Sequence, residues 1–228
     1  MEQIAAGVYG VGFGYVNAFV VVDDTSTLID AGIPRRRKKL LRALAGVGSP
    51  PLRDIAITHH HMDHVGSLAD VLADGVTVWA HALDARVIRG EAKASPAPRN
   101  GFERLGVNVA NRLVPTAKAA RVDRELTDGA ELPIAGGMIA YHTPGHTAGH
   151  VSFLLPSKRI LFVGDAAANY LGRLGPPFGI YSEDHDAVRS SIAKIAELDF
   201  DVACFGHGRV LKGAANTRFR KLAEKIAG

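Results

Sequence analysis

The sequence has almost none of the features that would cross-link a protein covalently or direct it to a membrane. Its 228 residues include one cysteine, Cys204, which excludes an internal disulfide and a cysteine-rich metal site. No apolar run reaches the ~18 residues that cross a bilayer. Residues 1–10 lack a basic stretch followed by an apolar core and a small-residue cleavage site. We therefore expect no export signal, no membrane partner and a cytoplasmic location.

Charge is also limited, but it is unevenly distributed. Charged residues make up 22% of the chain, and the formal net charge is +4. Residues 86–124 contain nine Lys or Arg and three Asp or Glu, an excess of +6, which leaves −2 for the rest. A basic run at 35–39 opens a predicted helix. This distribution permits an anionic partner, although we interpret the basic run as a solvated helix face.

Apolar runs typical of strands alternate with amphipathic runs typical of helices along both halves of the chain. No repeat or linker composition interrupts this pattern, which predicts one α/β domain over residues 1–228, with a lid-like insertion at about 89–125. Strands are predicted over residues 16–22, 27–29, 55–58, 76–80, 138–142, 151–155, 160–163 and 202–205. Helices are predicted over residues 34–44, 67–73, 83–88, 102–113, 184–197 and 217–226.

Four of the ten histidines fall in one short segment, which starts at Thr58 and reads Thr-His-His-His-Met-Asp-His-Val-Gly. His59 and His61 are two residues apart, so in an extended stretch they face the same side and can hold one cation together. If the chain then turns into a helix, Asp63 and His64 face a neighbouring space, where they can hold a second cation. Imidazole and carboxylate without thiolate suit zinc, iron or manganese.

Three further candidate ligands follow predicted strands. His146, Asp165 and His207 each come just after a strand pattern, and each is flanked by glycine or proline. Such flanks let the backbone turn sharply, and ligands of α/β sheets gather beyond the carboxyl ends of strands. The seven residues together predict a metal site.

In these motifs the sequence resembles the metallo-β-lactamase fold hydrolases. The resemblance runs from the Leu-Ile-Asp-Ala-Gly segment at 28–32 to the Gly-His-Gly segment at 206–208, and the His-x-His-x-Asp-His block is highly specific. It implies a four-layer αββα sandwich with a dinuclear site at one edge. The resemblance assigns His59, His61 and His146 to the first metal, Asp63, His64 and His207 to the second, and Asp165 as the bridging carboxylate.

The same resemblance implies supporting residues and a reaction. Asp30 matches a buried acid that orients a ligand histidine, and His150 is expected to support the site similarly, whereas His60 should point away from the metals. Two divalent ions, with zinc preferred over iron or manganese, would supply a metal-bound hydroxide. Asp63 would give or take the proton at the breaking bond. The expected substrate is a small ester, thioester or lactone with an activated carbonyl.

The sequence differs from the motifs of individual members of this family, and these differences narrow the range of expected activities. β-Lactamases of this fold generally lack the bridging aspartate, so Asp165 argues against that activity. Glyoxalase II enzymes resemble the site fully, but their Gly-Cys-Gly-Arg run is absent from residues 166–175. Lactonases of this fold carry a tyrosine shortly after the bridging aspartate, which Tyr170 matches at a longer spacing, so Tyr170 is a candidate substrate contact.

Aromatic residues supply the remaining indications about the substrate. Phe13 and Tyr15 lie in a glycine-rich hairpin predicted to overhang the metals. Phe102 opens the predicted helix over 102–113, whose apolar face would cover the site, pack on the core or contact a homodimer partner. An apolar cover beside a cationic site suits a substrate with an organic tail.

Two other activities share these motifs. A mononuclear iron persulfide dioxygenase would use His59, His146 and Asp165 on one iron, but its Gly-Arg-Thr-Asp run is reduced here to a Gly-Arg pair at 172–173. A tRNA-processing nuclease would use the basic excess at 86–124 to bind phosphate. The sequence shows no flexible basic arm and no interleaved aromatics that would stack bases, so we do not expect a nucleic-acid partner.

Overall fold

The computed structural model describes residues 1–48, 50–94 and 117–227. The helix predicted over 102–113, and with it Phe102, lies outside the described residues, as does most of the predicted insertion. Within the described ranges, none of the helices combines the length and the hydropathy needed to cross a membrane.

The first of two large β-sheets is built entirely from the N-terminal part of the chain. Its strands follow one another in chain order: β1 (Glu2–Ala5), β2 (Val8–Gly12), β3 (Asn17–Val22), β4 (Ser26–Ile29), β5 (Leu52–Ala56), β6 (Thr77–His81) and β7 (Arg124–Leu126). The first four pair antiparallel, and β4 to β7 pair parallel. Parallel pairing requires crossover connections, which contain α1 (Arg37–Gly46), α2 (Met62–Val65), α3 (Leu68–Val71) and α4 (Ala82–Ile88).

The second large sheet is built from the C-terminal part of the chain. It contains β8 (Ala130–Leu132), β9 (Met138–His142), β10 (Val151–Leu155), β11 (Ile160–Gly164), β14 (Val202–Phe205) and β15 (Leu211–Lys212), in the order β15-β14-β11-β10-β9-β8. Between β11 and β14, which pair parallel, lie the small hairpin of β12 (Ala168–Tyr170) and β13 (Arg173–Gly175), then α5 (His185–Ala196). The last element is α6 (Ala215–Ala227).

Three apolar clusters divide the fold into four layers. One lies between α1, α3 and α4 and the first sheet, where Leu40 and Leu68 are fully buried. A second fills the space between the sheets, where Phe19 and Phe162 contact each other and Cys204 is enclosed. A third packs α5 and α6 on the outer face of the second sheet, around Phe219. This is the αββα sandwich that the sequence predicted.

The structure differs from the sequence prediction at two helices. The helix α1 starts at Arg37 instead of residue 34, because Arg35 adopts a left-handed φ of 63° that a right-handed helix cannot include. The turn after the histidine segment is itself helical, since α2 starts at Met62. Asp63 and His64 therefore project from a helix that precedes the predicted one.

Candidate metal centre

The seven predicted ligands meet at one edge of the sandwich, where strand ends of both sheets come together. Parallel strands bring their carboxyl ends to a common edge, and this edge collects residues from both halves of the chain. The contributing segments are His59 and His61 after β5, Asp63 and His64 on α2, His146 after β9, Asp165 after β11 and His207 after β14.

The ligand atoms form three adjoining groups, and within each group they lie no more than 4.8 Å apart. Asp165 is central: its Oδ2 lies 3.3 Å from His146 Nε2 and 3.1 Å from His207 Nε2, and its Oδ1 lies 3.5 Å from His64 Nε2. This carboxylate thus reaches members of both predicted ligand sets. The groups are His59, His61 and His146; His59, His64 and Asp165; and Asp63, His64 and His207.

Several atoms of this cluster are buried without a hydrogen-bond partner among the described residues. They are the Nε2 atoms of His59, His64 and His146 and the Oδ1 atom of Asp165. Unsatisfied buried polar atoms are costly and rare. Their convergence fits a cation that accepts their lone pairs, and imidazole nitrogen with carboxylate oxygen suits zinc, iron or manganese.

Asp30 orients two of the imidazoles, His64 directly and His59 through the Thr58 hydroxyl. Its Oδ2 accepts a hydrogen bond from His64 Nδ1 at 2.7 Å, and its two oxygens accept the Thr58 hydroxyl at 3.1 and 2.9 Å. Thr58 Oγ1 then accepts from His59 Nδ1 at 3.0 Å. With Nδ1 donating, the Nε2 atoms of both histidines are free for a cation. Asp30 holds this position at a left-handed φ of 61°, a strained backbone that clusters at functional sites.

The remaining imidazoles on the C-terminal side are also held through Nδ1. His207 Nδ1 donates to the Tyr15 carbonyl at 2.8 Å. His146 Nδ1 lies 3.3 Å from Ser182 Oγ. In both residues Nε2 faces Asp165. The sequence motifs did not reveal Ser182 or Thr58, since neither hydroxyl belongs to a ligand pattern.

His150 supports the backbone of the central carboxylate. Its Nε2 accepts the backbone N–H of Asp165 at 2.8 Å, so its proton must sit on Nδ1, which donates to Thr143 Oγ1 at 2.9 Å. The hydroxyls of Thr143 and Ser152 extend this chain to the Val163 carbonyl. His150 thus acts on the strand end that carries the carboxylate rather than on a histidine.

A buried acid that the sequence analysis missed organises the other side of the centre. Asp84, at the start of α4, accepts the backbone N–H of His60 at 2.8 Å and lies 3.0 Å from its Nδ1. It also accepts the Thr147 hydroxyl and the Gly149 N–H at 2.8 and 2.9 Å. His60 therefore points away from the cluster, and Asp84 ties the histidine segment to the loop that follows His146. An acidic residue inside a predicted helix gave no signal of this role.

Burial keeps most of the imidazoles neutral. Burial, and then neighbouring histidines, lower the pKa of His59 and His61 well below the usual value, and burial lowers the pKa of His146 to about 4. Neutral imidazole is the form that binds metals. At His64, burial is outweighed by Asp165 and Asp30, which raise its pKa to about 10. Burial also opposes the charge of Asp165, but His64 and His207 keep its pKa well below the usual range.

Two of the four predicted substrate contacts border the centre. Tyr15 is exposed and its ring stacks on His207, with centroids 5.9 Å apart. Tyr170 is half-buried, and burial followed by the charge of Asp165 raises its pKa to about 12. Phe13, by contrast, is buried against Gly32 with Lys39 over its ring. Its ring packs in the core rather than over the cluster, which corrects the prediction.

The family follows from a match that spans most of the chain. The family model described as the metallo-beta-lactamase superfamily matches residues 11–207. The chain therefore belongs to this superfamily of metal-dependent hydrolases, and it has the metallo-β-lactamase fold.

Individual relatives agree with this assignment. The chain is 26% identical to the probable metallo-hydrolase YflN of Bacillus subtilis, over 92% of this chain and 87% of that protein. It is 30% identical to the hydroxyacylglutathione hydrolase of Fuscovulum blasticum, over 83% of this chain and 61% of that protein. Among solved structures, the BLEG-1 B3 metallo-beta-lactamase is 25% identical with a TM-score of 0.71, covering 97% of this chain and 100% of that one.

Proposed function

We propose that this protein is a dinuclear hydrolase, with zinc as the preferred metal, that cleaves a small ester, thioester or lactone. The observation that carries the proposal is the central position of Asp165. Its carboxylate lies between His146 on one side and His64 and His207 on the other. A single cation would leave part of this convergent set without a partner.

The protein's own residues hold and aim this centre. His59, His61 and His146 would hold one ion, Asp63, His64 and His207 the other, and Asp165 would contact both. When bound, such a pair of ions lowers the pKa of water to about 7 and polarises the substrate carbonyl. Asp30, His150 and Asp84 keep the ligands in place through the hydrogen bonds described above.

Asp63 is the residue placed to move a proton. Its Oδ2 lies 3.4 Å from His207 Nε2, and Asp63 is less buried than the other carboxylates of the centre. A carboxylate that is both at the cluster and open to solvent can accept a proton from water and deliver it to the leaving group. Asp63 is therefore assigned this step.

The experiment that tests the proposal is a metal count followed by a substrate panel. Protein purified without chelator or affinity metal should contain about two zinc ions per chain by plasma mass spectrometry, as a bridged pair requires. It should then hydrolyse members of a panel of aryl esters, S-acyl glutathiones and lactones. About one iron per chain, with oxygen uptake in the presence of a persulfide, would replace the hydrolase by the dioxygenase.

The same panel separates the remaining activities. A cephalosporin tests β-lactamase activity, and retarded migration of tRNA at physiological salt would favour the nuclease. The glutathione thioesters address the activity named for the Fuscovulum blasticum relative. The cytoplasmic location remains a prediction, for which cell fractionation is the test.

A further inference from the structure

Exposed apolar side chains are concentrated beside the metal centre. Among the described residues, eight large apolar side chains are exposed, and five of them lie in three segments next to the cluster. We call these five the apolar rim: Tyr15, Leu171, Phe178, Ile180 and Tyr181, which are 58%, 89%, 61%, 49% and 51% exposed. Contiguous exposed apolar surface of this kind marks binding sites.

Each of the three segments is attached to a ligand histidine. Tyr15 stacks on His207 and accepts its Nδ1–H. The β12–β13 hairpin, which carries Leu171, bonds to the same loop through Asn169 N–H and the His207 carbonyl at 3.4 Å. The rim is therefore continuous with the centre on this side.

The third segment is attached to the opposite side of the centre. Residues 178–181 lead into Ser182, whose hydroxyl meets His146, and into Glu183, whose N–H bonds to the His146 carbonyl at 3.3 Å. Phe178 contacts the Tyr170 ring with centroids 4.8 Å apart. This ring contact joins the hairpin to residues 178–181, so the three segments border the same centre.

The backbone conformation and the solvent exposure of Leu171 are both unfavourable for a leucine. It lies in the two-residue turn of the β12–β13 hairpin with a left-handed φ of 50°, where glycine, asparagine or aspartate is the usual residue. It also exposes an aliphatic side chain almost completely. A strained backbone that persists in an exposed turn points to a function for the side chain.

We propose that the apolar rim binds the aliphatic acyl chain of the substrate. This inference rests on the proposed hydrolase and specifies its substrate class. An acyl chain continues in methylene groups from the reacting carbonyl, so its first carbons lie beside the ligand histidines, where Tyr15 and Tyr170 stand. The exposed carbons of Leu171, Phe178 and Ile180 then extend the contact outward. No member of the rim carries a charge that would select a polar tail.

The test compares a rim variant with a matched control on the same chain. The rim variant is Leu171→Gln/Phe178→Gln, and the control is Leu41→Gln, at an exposed leucine of α1. Calorimetric titration with butanoate, hexanoate and octanoate measures binding without turnover. In the wild type and in the control, the affinity for the carboxylate should rise about 2- to 4-fold per added methylene. In the rim variant, the affinity should not depend on chain length. Should the double variant fail to fold, Leu171→Gly removes the side chain and relieves the left-handed strain.

Hydrolysis of the p-nitrophenyl esters of the same three acids gives the second measurement. The octanoyl to butanoyl ratio of kcat/KM should exceed about 16 in the wild type, since the two acids differ by four methylenes, and it should fall towards one in the rim variant. If the wild type hydrolyses all three esters at equal rates and binds the three acids with equal affinity, the acyl-chain inference is overturned and the hydrolase proposal stands. Absence of turnover with chain-length-dependent binding would instead contradict the hydrolase while supporting the rim.

Two other occupants would overturn the proposal. Sedimentation with phosphatidylcholine vesicles that the rim variant abolishes would make the rim a membrane contact. A dimer in sedimentation velocity that the rim variant dissociates, and that Leu41→Gln leaves intact, would make it a contact between two copies of the chain.

Discussion

Single side chains decide how the ligands of this centre are aimed. Four of the predicted ligand imidazoles have a partner at Nδ1: a threonine hydroxyl, a carboxylate, a serine hydroxyl or a backbone carbonyl. A partner at one ring nitrogen fixes the ring and presents the other nitrogen, which raises metal affinity beyond what the ligand alone provides.

Asp30→Asn tests the residue that holds two of these rings. Asparagine tolerates a left-handed φ, so the variant keeps the backbone but loses the carboxylate that pairs with His64 and Thr58. Metal affinity should fall by about 10- to 100-fold, measured by competition with a chromophoric chelator. The exposed Asp23→Asn is the control. Equal affinity in the Asp30 variant and the wild type would show that the carboxylate does not orient the ligands.

Gly206→Ala tests how closely the backbone approaches the centre. A Cβ atom at Gly206 would collide with Asp165 Oδ1 and with His64 Cε1, both inside the predicted metal site. We expect this variant to fold but to bind less than half of the wild-type metal, as determined by plasma mass spectrometry. Gly175→Ala, where a Cβ meets no atom within 4 Å, is the control and should bind metal normally. Full metal content in Gly206→Ala would contradict the assigned ligand geometry.

The sequence predicted the residues that converge in this cluster better than the residues that support them. His59 and His61 were predicted because residues two apart in an extended segment face the same side. His146, Asp165 and His207 were predicted because each follows a strand. Asp84 and Ser182 belong to no pattern, since their partners are brought near only by tertiary packing. Phe13 was misplaced because an aromatic residue in a glycine-rich turn can face either the core or the opening.

Among the elements, α4 has a role that its length does not suggest. Through Asp84, the start of this seven-residue helix is bonded to the histidine segment and to the loop after His146. Burial would raise the pKa of Asp84, but hydrogen bonds from His60 and Thr147 lower it below the usual value. The positions of three predicted ligands, His59, His61 and His146, therefore depend on this helix.

Asp84→Asn should measure that dependence. An amide accepts fewer hydrogen bonds than a carboxylate, so at least one buried donor among His60, Thr147 and Gly149 loses its partner. We expect a loss of about 2–4 kcal/mol in the free energy of unfolding, measured by urea denaturation of the metal-free protein. Asp74→Asn, at an exposed aspartate, should change stability by less than about 0.5 kcal/mol. If both variants were equally stable, α4 would not anchor these loops.

The elements that the sequence predicted well are those with a clear apolar pattern bounded by turn residues. The strands β9, β10 and β14 have the predicted bounds, and α5 begins after Asp184, whose side chain accepts the N–H groups of Asp186 and Ala187. The short strands β1, β7, β8 and β13 were missed because they have no long apolar run. The helix over 102–113 remains a prediction.

Across the whole molecule, the two sheets enclose an apolar layer that also shields Cys204. Burial raises the pKa of this thiol far above its ordinary value, so the reactive thiolate is suppressed in the folded protein. We expect Cys204 to remain unmodified by Ellman's reagent at mildly alkaline pH and to react fully in urea, as followed by absorbance. Rapid labelling of the native protein would contradict this packing of the sheets.

Metal removal should lower the stability of the whole fold. A ligand present at about 1,000 times its Kd stabilises the folded state by about 4 kcal/mol, which corresponds to about 8–16 °C in Tm for a chain of this size. Treatment with a chelator should therefore lower Tm by about 10 °C in differential scanning calorimetry. Added zinc should restore Tm, and added calcium, which prefers oxygen ligands, should not. An unchanged Tm after verified metal removal would contradict a centre that joins the sheets.

The division of the chain between the sheets has a consequence for how the molecule opens. The first sheet and four of the seven predicted ligands come from residues before 127, while the second sheet and the other three come from residues after 129. A bound cation pair would therefore join the N-terminal and C-terminal halves of the chain at the edge where the two sheets meet. Loss of the cations should let the two sheets separate at this edge before either sheet unfolds. Amide hydrogen exchange should then rise first in the backbone that lies between the sheets at this edge.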